Sequence, residues 1–225
     1  MRAEPFETNA RDARGKSRNE GSSGGHRTIG SRRGNDLPLS LAVEQRDYAT
    51  GNHLKRVSSY ASEIAKNIGV DAKTVSDIAL ASHLHDIGKV SIPDDILLKR
   101  GPLDDEERRI MQRHAHAGFK ILSGSKSALI QLAAEIAYCH HERFSGGGYP
   151  RGISGRDIPI AARIVSVADV FDALTTTRPY KEAWPFEDAF AAIETASGSQ
   201  FDPECVGAFM CQRKRILEIA TELSD

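Results

Sequence analysis

The chain has 225 residues, with 30 Lys plus Arg against 31 Asp plus Glu and a net charge of −1, so no global charge draws it to nucleic acid or to a membrane surface. Its three cysteines, Cys139, Cys205 and Cys211, lack CxxC spacing, which argues against a disulfide framework and a cysteine zinc site and for a reducing, cytoplasmic setting. No apolar run approaches the roughly 18 residues of a membrane span, and no apolar stretch follows the N-terminal charges as a secretory signal would require.

Residues 1–36 carry eight basic and five acidic side chains and almost no large apolar residues. They cannot bury enough surface to offset chain entropy, so a disordered tail is expected there, followed by one domain over 37–225. The tail is too short and too polar to be a receiver or sensor domain. The first strong helical signal spans about Thr50–Ile68, with Leu54, Val57, Ala61, Ile64, Ala65 and Ile68 on one face and His53 at its edge. A second helix is expected over Ala72–Ile87, after a Gly69 stop and an Asp71 cap. It ends at Gly88, with His85 and Asp86 in its last turn and His83 turned outward.

A short helix follows at Asp94–Lys99, then a longer one opened by Asp104, Asp105 and Glu106 and running past His114 to Leu122. The next covers about Ser127–Glu142, with Leu129, Leu132, Ala133, Ile136, Ala137 and His140 along one stripe. Phe144–Gly155 is a Gly-rich loop. Ile160–Thr175 is the most apolar helix, interrupted by Asp169 and Asp172, and weaker helical signals cover Phe186–Ser197 and Pro203–Glu222. With no convincing strand, the expected fold is all-α, a helical bundle with a polar site at its core.

Five of these apolar stripes carry metal-competent residues at their inner edges: His53, His85 with Asp86, His114, His140 with His141, and Asp169. Buried groups of this kind need a compensating charge. Seven ligands exceed one ion, and Asp86 can lie between two, so a two-metal site suited to phosphoester cleavage is the economical arrangement. Nitrogen and oxygen donors without thiolate suit Fe, Mn, Co, Ni or Zn. Cys139 points away from His140 round the helix and reads as core.

The motifs Leu84-His85-Asp86-Ile87-Gly88-Lys89, His140-His141-Glu142-Arg143, Gly148-Tyr149-Pro150 and Val167-Ala168-Asp169-Val170-Phe171-Asp172 resemble the HD-GYP family of the HD phosphohydrolase superfamily. Arg178-Pro179-Tyr180-Lys181 and Phe201-Asp202-Pro203 fit as well, and the likeness covers roughly residues 40–212. The resemblance implies an HD-domain helical fold, a binuclear Fe or Mn centre and a phosphodiesterase that opens cyclic-di-GMP to pGpG, some members continuing to GMP. It further implies that His53, His85, Asp86 and Asp169 hold one metal, and Asp86, His114, His140 and His141 the other. Some members bind a third ion through a Glu one turn before the first His. Here that position is Ala49, and neither Glu44 nor Asp47 has the right offset, so two divalent ions are expected.

The phosphoryl transition state calls for fixed cations. Lys89 is the best placed by sequence, and the family places phosphate-clamping side chains at Arg178 and Lys181. Asp172, on the face of Asp169, is expected to orient a metal-bound His, or else to protonate the leaving 3′ oxygen. The Gly-rich loop lacks GK[ST] and is not a P-loop. Tyr149 is expected either to stack on a guanine or to pin the loop, and Glu142 and Arg143 to form a structural ion pair. The family resemblance implies contacts between this loop and a diguanylate cyclase or response-regulator partner. Regulation is expected from such a partner, from a homodimer through the early helix, or from the metals' redox state. A different class of function stands beside the enzyme: a catalytically weak signalling module working through the Gly-Tyr-Pro loop, against which every ligand position being present argues. A related hydrolase acting on another cyclic dinucleotide or a nucleotide is the remaining alternative.

Overall fold

A computed structural model describes residues 51–177 and 182–224. The expectations for the tail, for Ala49 and for Arg178 and Lys181 lie outside these residues. Nine α-helices occur among the described residues: α1 Gly51–Ile68, α2 Ala72–Ser82, α3 Asp94–Leu97, α4 Asp105–Leu122, α5 Ala128–Cys139, α6 Ile160–Thr175, α7 Phe186–Thr195, α8 Pro203–Cys211 and α9 Arg213–Glu222. A single residue-pair bridge, Ser197 with Phe201, is the only strand-like pairing in this part of the chain. The architecture is all-α.

Local chemistry sets three of the helix starts. The Asp71 carboxylate accepts from the backbone N–H of Lys73 and Thr74 to open α2, and Asp104 and Glu107 form a reciprocal capping box at α4. Asp202 caps α8, with Pro203 in its first turn. Gly69 ends α1 at φ 91°, a left-handed conformation open to glycine without a side-chain clash.

Two expectations are corrected. The second helix stops at Ser82 rather than Ile87, and Ile87–Ser91 is a separate 3₁₀ turn. The reason is close approach: a Cβ at Gly88 would lie 1.9 Å from the His114 carbonyl oxygen and 2.4 Å from the Gly118 nitrogen, so this turn is pressed backbone-to-backbone onto α4. The last segment is two helices, broken at Gln212, instead of one over Pro203–Glu222.

The core forms around α6, which packs against α1, α5, α7 and α8. Its Ala161, Ala162, Ile164, Val165, Val167, Ala168 and Phe171 are all buried, so both sides of the helix are covered, as its largely apolar sequence requires. The α1 stripe of Leu54, Val57, Ala61, Ile64 and Ala65 closes one face of this core. Phe171 anchors an aromatic group, with ring centroids 5.5 Å from Tyr60, 4.8 Å from Phe190 and 5.0 Å from Phe209. Cys139 packs with Ile158 and Ala162, and burial pushes its thiol up to about 11, consistent with a core residue. No helix among the described residues is long and apolar enough to cross a membrane.

Candidate metal centre

Seven metal-competent side chains from five segments, α6 among them, meet at one place. Their ligand atoms form two groups, Asp86 with His114, His140 and His141, and His53 with His85 and Asp169, each with all its atoms within 4.8 Å of one another. Asp86 touches both. Its Oδ1 lies 3.3 Å from His114 Nε2 and 3.6 Å from His140 Nε2, and its Oδ2 lies 3.4 Å from His85 Nε2. Asp169 Oδ1 lies 3.7 Å from His85 Nε2 and 3.8 Å from His53 Nε2. The 3₁₀ turn after His85 makes this possible: Asp86 adopts φ −103° and ψ 11°, which turns its side chain away from the direction of α2.

Backbone carbonyls orient the rings from behind. Nδ1 of His85 meets the Ser82 carbonyl at 2.8 Å, Nδ1 of His114 the Met111 carbonyl at 2.7 Å, and Nδ1 of His140 the Ile136 carbonyl at 3.0 Å. Each Nδ1–H donates to its carbonyl, which aims Nε2 inward, where the neutral ring presents a lone pair. His53 is held by a side chain: its Nδ1 lies 2.7 Å from Asp172 Oδ2. Four buried atoms here, His85 Nε2, Asp86 Oδ1, His114 Nε2 and His140 Nε2, have no hydrogen-bond partner. Orphaned buried polar atoms are rare and costly. That these converge on one small volume fits occupation by divalent cations, and the N/O donor set suits first-row metals.

The charges are tightly coupled. Burial disfavours the charged form of Asp86, but Lys89 and the His85 ring outweigh it and hold the carboxyl well below the usual range. The same contest holds Asp169 low, through His85 and His53. For His85, burial opposes the charged ring, but Asp86 and Asp169 together raise it well above its ordinary value. Burial pushes His114 down to about 4 and, with His140 and His114 beside it, His141 well below the usual range.

Lys89 sits on the rim with its Nζ 2.8 Å from Asp86 Oδ2. Asp172, fully buried on α6, lies behind His53 with both oxygens engaged: Oδ1 accepts from Arg56 Nε at 2.6 Å, and Oδ2 faces His53 and Arg56 Nη2. Tyr149 lays its ring on His141, centroids 4.7 Å apart and planes 26° apart, and its N–H donates to the His141 carbonyl. A cavity of about 260 Å³ beside this stack is lined by His140, His141, Gly148, Tyr149, Val170 and Gln200. The expected Glu142–Arg143 ion pair is not formed. Buried Glu142 instead accepts from the backbone N–H of Arg151 and Gly152, because two donors of the returning loop face it, while Arg143 reaches Gln200. Gly148 is required there: its Cβ would stand 2.4 Å from the Arg143 nitrogen.

The residue that the sequence reading passed over is Arg56. Its signal was its place three residues after His53, on the same side of α1 as that ring. The carbonyl acceptors behind His85, His114 and His140 had no sequence signal, since every residue carries one.

A family model described as "HD domain" matches residues 39–205. The chain is 49% identical over 187 residues to a cyclic di-GMP phosphodiesterase of Thermotoga maritima, covering 83% of this chain and 51% of that protein. It is 43% identical over 187 residues to the 3'3'-cGAMP-specific phosphodiesterase 2 of Vibrio cholerae, covering 83% of this chain and 36% of that protein. The chain therefore spans about half of the length of the first relative and about a third of the second. A solved structure of a cyclic GMP-AMP specific phosphodiesterase from Vibrio cholerae shares the fold, with a TM-score of 0.60 at 17% identity over 84% of this chain and 52% of that one.

Proposed function

The chain belongs to the HD domain family, and from its clustered site we propose that it is a metal-dependent phosphodiesterase that opens cyclic-di-GMP to linear pGpG, with GMP as a further product. The observation that carries this reading is the convergence of four partnerless buried donor atoms, from His85, Asp86, His114 and His140, beside the Lys89 ammonium. One ion would be held by His53, His85, Asp169 and Asp86, the other by Asp86, His114, His140 and His141; Fe or Mn is the proposed metal, and the cytoplasm the proposed compartment. A bound pair of divalent cations supplies Lewis-acid stabilisation of a phosphoryl group and acidifies water at neutral pH.

The chain's own side chains do the rest. Lys89 places a positive charge at the rim, where a phosphoryl oxygen gains negative charge in the transition state. The Tyr149 ring, stacked on His141, holds the loop against the centre. Arg178 and Lys181 are proposed phosphate contacts following α6. Asp172 supports His53 and takes no part in proton transfer, since its two oxygens are already engaged. The partner proposed for the Gly-Tyr-Pro loop is a diguanylate cyclase or response regulator.

The test is incubation of Fe(II)- and Mn(II)-loaded protein with cyclic-di-GMP, with products resolved by chromatography and Asp86→Ala as control. Turnover to pGpG that the control abolishes is expected. Binding without turnover under both metals would sink the enzymatic reading in favour of a signalling module. The 43% likeness to a 3'3'-cGAMP-specific enzyme supports a second reading of the substrate, and the same assay with 3'3'-cGAMP decides it by the ratio of kcat/KM values.

A further inference from the structure

Arg56 is only 4% exposed, and a guanidinium buried to that extent is costly unless every donor finds a partner. Its Nε donates to Asp172 Oδ1 at 2.6 Å and its Nη2 to Asp172 Oδ2 at 3.2 Å, a two-point grip on one carboxylate. Nη2 also donates to Thr176 Oγ1 at 3.1 Å, and Nη1 to the Leu223 carbonyl at 2.8 Å. One side chain of α1 thus joins α6, the residue after it, and the residue that closes α9.

The geometry of the grip matters more than its charge. The terminal torsion of an Asp is broad, so a carboxylate with a single partner swings. A planar fork that takes both oxygens removes this freedom, which a point charge such as Lys cannot do. With Asp172 locked, its Oδ2 stays 2.7 Å from His53 Nδ1, and that bond aims His53 Nε2 at Asp169. His53 Nδ1 meets the side chain of Asp172, whereas the Nδ1 atoms of His85, His114 and His140 meet helix carbonyls. The orientation of His53 is therefore tied to the packing of Asp172.

We propose that Arg56 is a positioning residue of the metal centre, clamping Asp172 so that His53 faces Asp169, and that through the Leu223 carbonyl the closing turn of α9 shares in that support. The proposal rests on the metal-centre reading above. A plain ion pair between α1 and α6 would contribute stability alone; a positioning clamp acts selectively on the His53 group and leaves the Asp86–His114–His140–His141 group as it was.

The experiment compares the full chain with Arg56→Ala and Arg56→Lys. Mn(II) affinities are read by equilibrium dialysis, the fold by circular dichroism, and the His53 Nδ1 proton by NMR of the metal-free protein. In Arg56→Ala one Mn(II) site is expected to weaken about 10- to 100-fold with the other nearly unchanged, and the slowly exchanging His53 Nδ1 proton of the wild type is expected to vanish. Arg56→Lys keeps a charge but not the fork; it is expected to show the same selective loss, and it carries the test if the Ala variant does not fold. A folded variant with both affinities and the His53 proton as in wild type overturns the proposal. So does equal weakening of both sites, or full restoration by Lys. If wild-type protein binds no Mn(II), the metal-centre reading fails, and the His53 proton still decides the role of Arg56.

Discussion

Gly88→Ala tests the central contact of the site, the one between the 3₁₀ turn and α4. A Cβ at this position would meet the His114 carbonyl oxygen at 1.9 Å, the Gly118 nitrogen at 2.4 Å and the His114 carbonyl carbon at 2.9 Å. All three are backbone atoms, so no side chain can rotate out of the way. Restoring the shortest contact to an ordinary 3.4 Å requires α4 and the turn to separate by about 1.5 Å. Overpacking of this kind typically costs about 1–3 kcal/mol, and for a domain of this size each kcal/mol lowers Tm by about 2–4 °C. The same displacement carries His114 off Asp86, whose Oδ1 it now approaches at 3.3 Å. Thermal melts of metal-free protein and metal content after dialysis against Mn(II) read the two effects separately. Gly124→Ala is the control, because a Cβ there meets nothing within 4 Å. If Gly88→Ala matches Gly124→Ala in both Tm and metal content, the turn is not pressed on α4 as described.

Two further outcomes follow from particular residues. Gly207 lies exposed within α8, and its added Cβ would meet no atom within 4 Å, so Gly207→Ala is expected to raise stability by about 0.5–1 kcal/mol through helix propensity; a fall in Tm would refute the open space assigned to that face. In the metal-free protein Asp86 and Asp169 hold the His85 ring protonated past the pH at which an ordinary His gives up its proton, about 6.5, while His114 and His141 are pushed down and already neutral. Mn(II) uptake at pH 7 is therefore expected to release protons, that of His85 among them, and loading to fall as pH drops through the histidine range. Calorimetry in two buffers of different ionisation enthalpy measures the release, and a heat independent of buffer would contradict it.

Much of this was legible in the residues themselves. The stripes of α1, α5 and α6 are periodic, and periodicity is a local property that survives into the fold because one face must be buried. The Asp71 and Asp104 caps are equally local, each carboxylate satisfying N–H groups within three residues. Polar groups on apolar stripes marked His53, His85, His114, His140 and Asp169, because an uncompensated polar group at such a place is too costly to be incidental. The end of α2 misled the reading: Leu84 and Ile87 continue its apolar pattern, yet the chain turns at Ser82 because the turn must fit against the backbone of α4 at Gly88.

By itself, then, the sequence determined the helices, their inward faces and the set of groups at the centre, since each depends on spacing along one segment. Only the tertiary structure decided how those groups are shared out. It put the two oxygens of Asp86 toward different histidines, turned Glu142 to loop N–H groups rather than to Arg143, and set Arg56 behind Asp172 and His53 at a sequence separation of 116 residues. Hydrogen-bond partners so far apart are chosen by packing, and no spacing along the chain encodes them.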